Sequence, residues 1–425
     1  MHVALLIGGG LPNATTGGGA LTAHTLLRFL LESGDDVTVF ALHDQEYHDP
    51  LRSDLSARIA HLRELGAEVV PIPSHAGDTG NSAPSDFASR LRRSLKPQLE
   101  ELYPHAADAE RVKAAVLETD CDVAFVYHFE ALAGSRGLDI PRVAGVGDPS
   151  HLPTYYRWRD GIPGVAALRQ TARVQAVLRA QPRYMAELLE ECAAYGAFAA
   201  HHAEWLRGHG APRCAYFRTP VPDDAGPDWY AARRRRGSDD RSRILLLGHL
   251  KGIATIDGLR VFARVLPWLD RALGPDGYVV DVVGGYDAPP ELAGLFEHPA
   301  VQRHGHAEDP GPSLQQTDVL VVPTSIPLGV RVRIISGLSF GTPIVAHSAN
   351  ALGIPELEDG VNALLGTSPK ELADQILRIT RDDALRGRLE RNARATYERS
   401  FRPPVAAAAI AQVLHQFARQ PARSA

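Results

Sequence analysis

Two arginines two positions apart, Arg331 and Arg333, open what reads as a helix one loop after a buried strand. The strand, Val319-Leu-Val-Val-Pro-Thr324, is short, apolar and rich in β-branched residues, the pattern of a parallel strand covered on both faces. Pro327 and Gly329 break the chain, Val332, Ile335 and Phe340 then fall near helical spacing, and Gly341 stands where a helix ends. Pro343 opens a second apolar strand, Ile344 to Ala346. A helix N-terminus offers unpaired N–H groups and a partial positive charge, which attract phosphate. Guanidinium groups in the first turn add full charges and forked donors. The chemistry expected here is a grip on a phosphorylated ligand. The competing reading is an ordinary pair of solvated surface arginines.

A helix that presents such groups needs a sheet to carry it, and the sequence predicts two. In the first half, strands fall at Val3 to Ile7, Val37 to Ala41, Val69 to Ile72, Val123 to Tyr127 and Val143 to Val146. Glycine runs at 8–10 and 17–19 bracket the first loop, and Leu21, Leu26, Leu27 and Leu30 give the helix after it one apolar face, ending at Gly34. Further helices are expected over Leu55 to Leu65, Phe87 to Leu102 and Glu110 to Glu118. The stretch 148–164 is less regular and groups Tyr155, Tyr156, Arg157, Trp158 and Arg159, as the lining of a binding site or as packing. Val177 to Ala180, Pro182 to Cys192 and Cys214 to Phe217 continue the alternation.

Residues 221–241 read as a linker, with Arg233 to Arg236 beside Asp239 and Asp240 forming a solvated connection. The second half then restarts the first. Arg243 to Gly248 repeats the opening strand and its glycine, a helix follows through Leu259, Phe262, Val265 and Leu266, and strands fall at 278–284, 301–304, 318–322, 344–346 and 363–365. Helices close the chain at 368–380, 384–397 and 405–419. Alternating strands and helices mean an α/β fold with doubly wound parallel sheets, in domains spanning 1–220 and 242–400 and a terminal segment 401–425. Ligands of such sheets bind at the carboxyl ends of the strands.

Composition narrows the partners. At 425 residues the chain exceeds one ordinary core. A net charge of −5 gives no global basic surface for nucleic acid. Three scattered cysteines, Cys121, Cys192 and Cys214, imply neither a disulfide framework nor a metal knuckle and suit a reducing, cytoplasmic setting. The N-terminus runs into glycines as a first strand would, without the basic region of a signal peptide, and no apolar run approaches the ~20 residues of a transmembrane segment. The richness in Ala, Arg, Gly and Pro suggests a GC-rich bacterial genome.

Several pieces of the second half resemble one family in their order. They are Val283-Gly-Gly285, the His-Pro-Ala-Val-Gln-Arg-His-Gly segment 298–305, Asp318 to Pro323, Gly329 to Ile335, Gly341 to Ala346 and Gly353 to Gly360. Their order is similar to that of retaining GT-B glycosyltransferases of group 1, well over roughly 243–400 and loosely before it. The resemblance implies two Rossmann-like domains facing each other across a cleft, with the last helix crossing back to the first domain. It implies a nucleotide-diphosphate sugar as donor, a small-molecule or glycan acceptor, retention at the anomeric carbon, and neither metal nor cofactor. Donor phosphates would meet Arg331 and Arg333, or Lys251 in the loop after the first strand of the second domain. Gly18 and Gly19 would let the backbone of the first loop approach the pyrophosphate, although glycines after a strand are also simply tight turns. His128 would face the transferred sugar and polarise a hydroxyl, and Asp148 would lie near the acceptor, with Glu130 as an alternative acid or base. His128, Arg333 and Lys251 are thus the expected catalytic groups. In a front-face process a phosphate oxygen deprotonates the acceptor, and charge stabilisation of the leaving diphosphate dominates.

The chain departs from the family at one place. Its two glutamates eight positions apart, the second of which contacts the ribose, correspond here to Leu328 and Ser336. A carboxylate grips a diol with two strong acceptors and a serine offers one hydroxyl. Ribose recognition then falls to Ser336, moves to Glu356, or serves an unusual donor. The same loss leaves open a degenerate partner protein without catalysis. A nucleotide-sugar 2-epimerase-like isomerase is a further alternative, although the carboxylates it needs are not found at matching positions. Sugar, base, acceptor and oligomeric state are not set by the sequence.

Overall fold

The computed structural model describes residues 1–8, 10–15, 17–44, 55–74, 96–159, 166–234 and 241–418. The chain forms two units, Met1–Phe217 with the chain from Ala407 onward, and Arg218–Ala406. In the first unit, β1 (His2–Gly8), β2 (Asp36–Asp44), β3 (Glu68–Ser74), β4 (Val123–Tyr127), β5 (Arg142–Val146), β6 (Ala194–Ala197) and β7 (Ala215–Tyr216) make one sheet in the order β3-β2-β1-β4-β5-β6-β7. In the second, β8 (Ser242–Leu247), β9 (Tyr278–Val283), β10 (Val301–Gly305), β11 (Val319–Val322), β12 (Ile344–His347) and β13 (Leu364–Gly366) follow the order β10-β9-β8-β11-β12-β13. All neighbours pair in parallel, for example Leu5 with Val39 on one side and Phe125 on the other. Both sheets reverse their strand order beside their first strand, between β1 and β4 and between β8 and β11, and that switch point opens a crevice at the carboxyl ends.

The apolar runs fold this way because each central strand is buried on both faces. Every residue of β4, β5, β9 and β11 is buried, as their largely apolar sequences require, the charged Arg142 and Asp281 included. The helix expected after the first loop is Gly18–Glu32, and the one after β11 is Val332–Ser339. Gly341 ends the latter with a φ of 62°, which glycine adopts without cost. The terminal helix Pro403–Phe417 brings the His415 Nε2 to 3.3 Å from the Asp35 carboxylate of the first unit. No helix among the described residues is long and apolar enough to cross a membrane.

Two expectations for the first unit fail, and a third lies largely outside the described residues. Val177–Ala180 does not continue the strand alternation but lies inside one helix, Ala166–Glu190, which tolerates Pro182. The strand there is instead β6, Ala-Tyr-Gly-Ala, whose small residues make room for aromatic neighbours: a Cβ on Gly196 would come within 2.8 Å of the Phe217 ring. The irregular stretch after Asp148 contains a regular helix, His151–Arg159. The expected helix 87–102 falls largely outside the described residues, which show Leu99–Leu102 as helical.

Arg233, read as part of a solvated run, is 1% exposed. Its guanidinium bonds to the carbonyls of Leu314 at 2.8 Å and Thr317 at 3.1 Å and to the Glu390 carboxylate at 3.2 Å. Upstream, Arg394 takes Asp223 with two bonds of 2.7 Å, and Tyr397 donates to the Val221 carbonyl at 2.9 Å. Trp229 packs where a Cβ on Gly341 would sit. Residues 218–234 are therefore a strap laid along the second unit. An arginine run predicts solvation only if no buried carboxylate and carbonyls wait for it, and those partners lie 81 to 157 positions away.

Candidate functional site

In the second unit the chemistry gathers at the switch point. Arg331 is the N-cap of Val332–Ser339 and Arg333 lies in its first turn. Ile334, Ile335, Gly337 and Leu338 are buried, which leaves Val332, Arg333 and Ser336 on the more open face. Arg333 reaches across to β8: its Nη1 donates to the Leu247 carbonyl at 2.7 Å and to Thr255 Oγ1 at 3.1 Å, and its Nη2 donates to Thr324 Oγ1 at 3.3 Å. Thr324, fully buried at the end of β11, donates its own hydroxyl to the Ala254 carbonyl at 2.7 Å, so its lone pairs face the guanidinium. A guanidinium has five N–H groups. Three serve neutral oxygens and two remain.

Among the described residues no carboxylate pairs with Arg333. Burial, and then the neighbouring Arg331 charge, push it down to about 9, still cationic at neutral pH. A half-buried cation held by neutral acceptors, with donors to spare, is a receptor waiting for an anion. Two glycines make this geometry possible. A Cβ on Gly248, whose φ is 151°, would overlap the Arg333 guanidinium, and one on Gly284 would overlap the Gly248 carbonyl. The loop from Thr324 to Gly329 is set by Asp257, whose carboxylate accepts from the Ser325 N–H at 2.6 Å and the Ile326 N–H at 3.3 Å.

The other expected residues of this unit are placed as follows. Lys251 lies after β8 with its Nζ 4.5 Å from the centre of the Tyr286 ring, in a cation–π contact. Ser336 is half-buried, and its hydroxyl makes no hydrogen bond among the described residues. Leu328, the other position that resembled a family carboxylate, is buried. Glu356 carries an ion pair of 2.6 Å with Arg218, so its geometry lends the ribose role no support.

In the first unit the glycine loop, His128 and Asp148 converge at the other switch point. His128 directly follows β4 with a φ of 70°, a left-handed conformation that costs a residue with a side chain and concentrates at functional sites. The Gly147 N–H donates to His128 Nδ1 at 3.0 Å. A neutral ring accepting there carries its proton on Nε2, and that nitrogen points at Gly19, whose absent Cβ would lie 3.4 Å away. Burial lowers the His128 pKa and outweighs the raising effect of Glu130 and Asp148, so the ring is neutral at pH 7. Tyr127 donates to the Gly19 carbonyl at 2.9 Å and fixes the loop against the histidine. Gly18 is the first residue of the helix after Gly17, which caps it with a φ of 138°. Asp148 is half-buried with its carboxylate 3.6 Å from His202 Nδ1, while Glu130 is exposed. The site therefore offers a neutral donor, His128 Nε2–H. Among the described residues no cluster of His, Cys, Asp and Glu could hold a metal ion.

Sequence reasoning missed Thr255 and Thr324, the acceptors of Arg333, and Tyr127 and Gly147, which hold the loop and His128. The glycines 147, 248 and 284, each directly after a strand, were the one available signal, since side-chain acceptors across a sheet leave no spacing to read.

Comparison with known proteins fits these two sheets. Residues 241–382 match the family model of glycosyl transferases group 1. No curated protein sequence matches the chain. Among solved structures, sucrose-phosphate synthase from Thermosynechococcus elongatus superposes with a TM-score of 0.67 at 16% identity, covering 98% of each chain. HepE from Anabaena, in complex with UDP and glucose, gives 0.65 at 17% identity, covering 97% of this chain and 99% of its own. A glycosyltransferase from Rickettsia africae gives 0.65 at 10% identity, covering 98% of each. The architecture is the GT-B fold.

Proposed function

We propose, for a chain whose residues 241–382 match the family model of group 1 glycosyl transferases and whose fold is GT-B, that it transfers a sugar from a nucleotide-diphosphate donor to a hydroxyl acceptor, with retention and without a metal ion. The observation that carries the reading is Arg333, a half-buried cation with two spare donors and no carboxylate partner among the described residues, on the first turn of a helix. In the proposed reaction the bond between the anomeric carbon and the donor phosphate oxygen breaks. The acceptor oxygen bonds the same carbon, and its proton passes to the phosphate oxygen. Arg333 and Arg331 stabilise the charge that builds on the diphosphate, the largest contribution such a site can make. Lys251 supplies a further cation beyond the carboxyl end of β8. His128 Nε2–H donates to a hydroxyl of the reacting sugar, and Asp148 orients the acceptor. Gly18 and Gly19 allow the backbone close to the donor, and Ser336 takes one ribose oxygen. HepE, whose structure holds UDP and glucose, makes a uridine diphosphate sugar the first donor to try.

The test is incubation with a panel of nucleotide sugars, following nucleotide release with and without acceptors, and the anomeric configuration of any product by NMR. Acceptor-dependent release and a retained anomer are expected. Conversion of the donor without acceptor would mean an isomerase. Nucleotide binding without turnover would mean a binding partner, and an inverted anomer would overturn the mechanism.

A further inference from the structure

Among the described residues two that carry side chains adopt a left-handed backbone, His128 with a φ of 70° and Tyr286 with a φ of 71°. Such a conformation is costly for a bulky residue, and it persists where the surroundings enforce it and a function uses it. His128 already has a place in the reaction above, and Tyr286 has none. Glycine or asparagine would adopt this φ cheaply, yet the two glycines of the turn, Gly284 and Gly285, come just before it.

The backbone around Tyr286 is held on both sides. The Gly248 N–H donates to the Val283 carbonyl at 2.9 Å and the Leu250 N–H to the Gly285 carbonyl at 3.1 Å, so the loop after β8 stays joined to the turn after β9. Arg303 donates to the Tyr286 carbonyl at 2.6 Å. The half-buried Tyr286 ring thereby lies against two side chains of the β8 loop. Its centre is 4.2 Å from that of the His249 ring and 4.5 Å from Lys251 Nζ. Lys251 sits within the stretch that holds Arg333. Gly248, before it, leaves the guanidinium its space, and Thr255, after it, accepts from Arg333 at 3.1 Å in the first turn of the helix Ile253–Ala263.

A lysine on an exposed loop has a flexible four-carbon stem, and its ammonium would spread over many rotamers. A carboxylate could confine it but would cancel its charge. An aromatic face confines it by cation–π attraction and leaves the charge and the three N–H donors available. We propose that Tyr286 is a positioning residue that holds the Lys251 ammonium ready for the diphosphate received by Arg333, and that the strained backbone is retained for this purpose. The proposal rests on the reading of Lys251 and Arg333 as phosphate ligands.

The experiment is calorimetric titration of UDP into the full chain, Lys251→Met, Tyr286→Leu, the double variant, Tyr286→Phe and Tyr286→Asn. Lys251→Met should weaken binding about tenfold, as the loss of a charged hydrogen bond does. Tyr286→Leu should weaken it about two- to fivefold, the worth of a cation–π contact at an exposed site, and should add nothing in the Lys251→Met background. Tyr286→Phe keeps the ring and should bind as the parent does. Tyr286→Asn tolerates the left-handed backbone, so it should lose the same affinity as Tyr286→Leu yet melt at a higher temperature. It replaces Tyr286→Leu in the cycle if that variant does not fold. Parent-like affinity without the ring, additive losses in the double variant, or a loss in Tyr286→Phe equal to that in Tyr286→Leu would each overturn the proposal. Unchanged affinity in Lys251→Met would instead strike the phosphate role of Lys251, and the proposal would fall with it.

Discussion

Replacing Arg333 by alanine should separate affinity from stability. A phosphate meeting the two spare N–H groups makes charge-assisted hydrogen bonds, worth roughly 1.5–3 kcal/mol together. At about 1.4 kcal/mol per decade, their loss raises the dissociation constant of a nucleoside diphosphate by about 10- to 150-fold. Stability should respond quite differently. The variant loses three bonds, to Leu247, Thr255 and Thr324, each to a neutral oxygen and each worth about 0.5–1.5 kcal/mol net. It also removes a half-buried positive charge that burial disfavours strongly enough to bring its pKa to about 9. The two effects oppose, so the thermal midpoint should move little while binding collapses. Calorimetric titration with UDP and with GDP, paired with a melting curve on the same preparation, measures both. Unchanged affinity would refute the anion-receptor reasoning and transfer the phosphate role to Lys251 or to none. A large fall in stability with normal affinity in the folded fraction would make Arg333 a purely structural group.

His128→Ala should lower kcat far more than donor affinity, since its proposed partner is the reacting sugar; equal kcat in steady-state assays would return the ring to a structural role. Gly147→Ala should reproduce that loss, because its Cβ would come within 2.5 Å of His128 Cε1; normal turnover would show that the ring need not sit where it does. Ser336→Ala, which removes one hydroxyl contact worth about 1 kcal/mol, should weaken donor binding only several-fold, and complete loss of binding in the same titration would mean the wrong chemistry at that position. The first unit should also be acid-sensitive. Burial lowers the pKa of His24 and of His151 to about 4 and lowers that of His128, so the unfolded chain takes up these protons first as pH falls below about 6.5. Stability present above that pH should therefore be lost progressively toward pH 4. His24→Asn with His151→Asn should flatten the dependence in melts followed across that range, and an unchanged slope would count against the burial argument.

What could be read from the sequence was whatever local spacing controls. The helix over 332–339 announced itself through Val332 and Ile335 and through Gly341, whose left-handed φ ends it. The fully buried strands announced themselves as largely apolar, β-rich runs. β6 did not, because Ala-Tyr-Gly-Ala is a strand only by virtue of the neighbours it pairs with and the phenylalanines that cover it. The candidate site divides in the same way. Arg331 and Arg333 could be nominated from a strand–loop–helix pattern. That Arg333 is held by Thr255 and Thr324, and that His128 is pinned by Gly147, depends on residues adjacent in space but 9 to 78 positions apart in the chain. No periodicity carries that information.

The strap has a consequence for how this protein can be cut. The segment that matches the glycosyl transferase family begins at residue 241, seven positions after the last described residue of the strap. A fragment started there would lack Arg233, leaving the Leu314 and Thr317 carbonyls and the Glu390 carboxylate without their cation, and would lack Trp229 over Gly341 and Asp223 against Arg394. The inherited module and the folding unit thus have different beginnings. A stretch that would count as a disposable connector when such modules are exchanged between proteins is here an interior part of the core it completes. Chimeras of this chain should be joined before Arg218, where the two units divide.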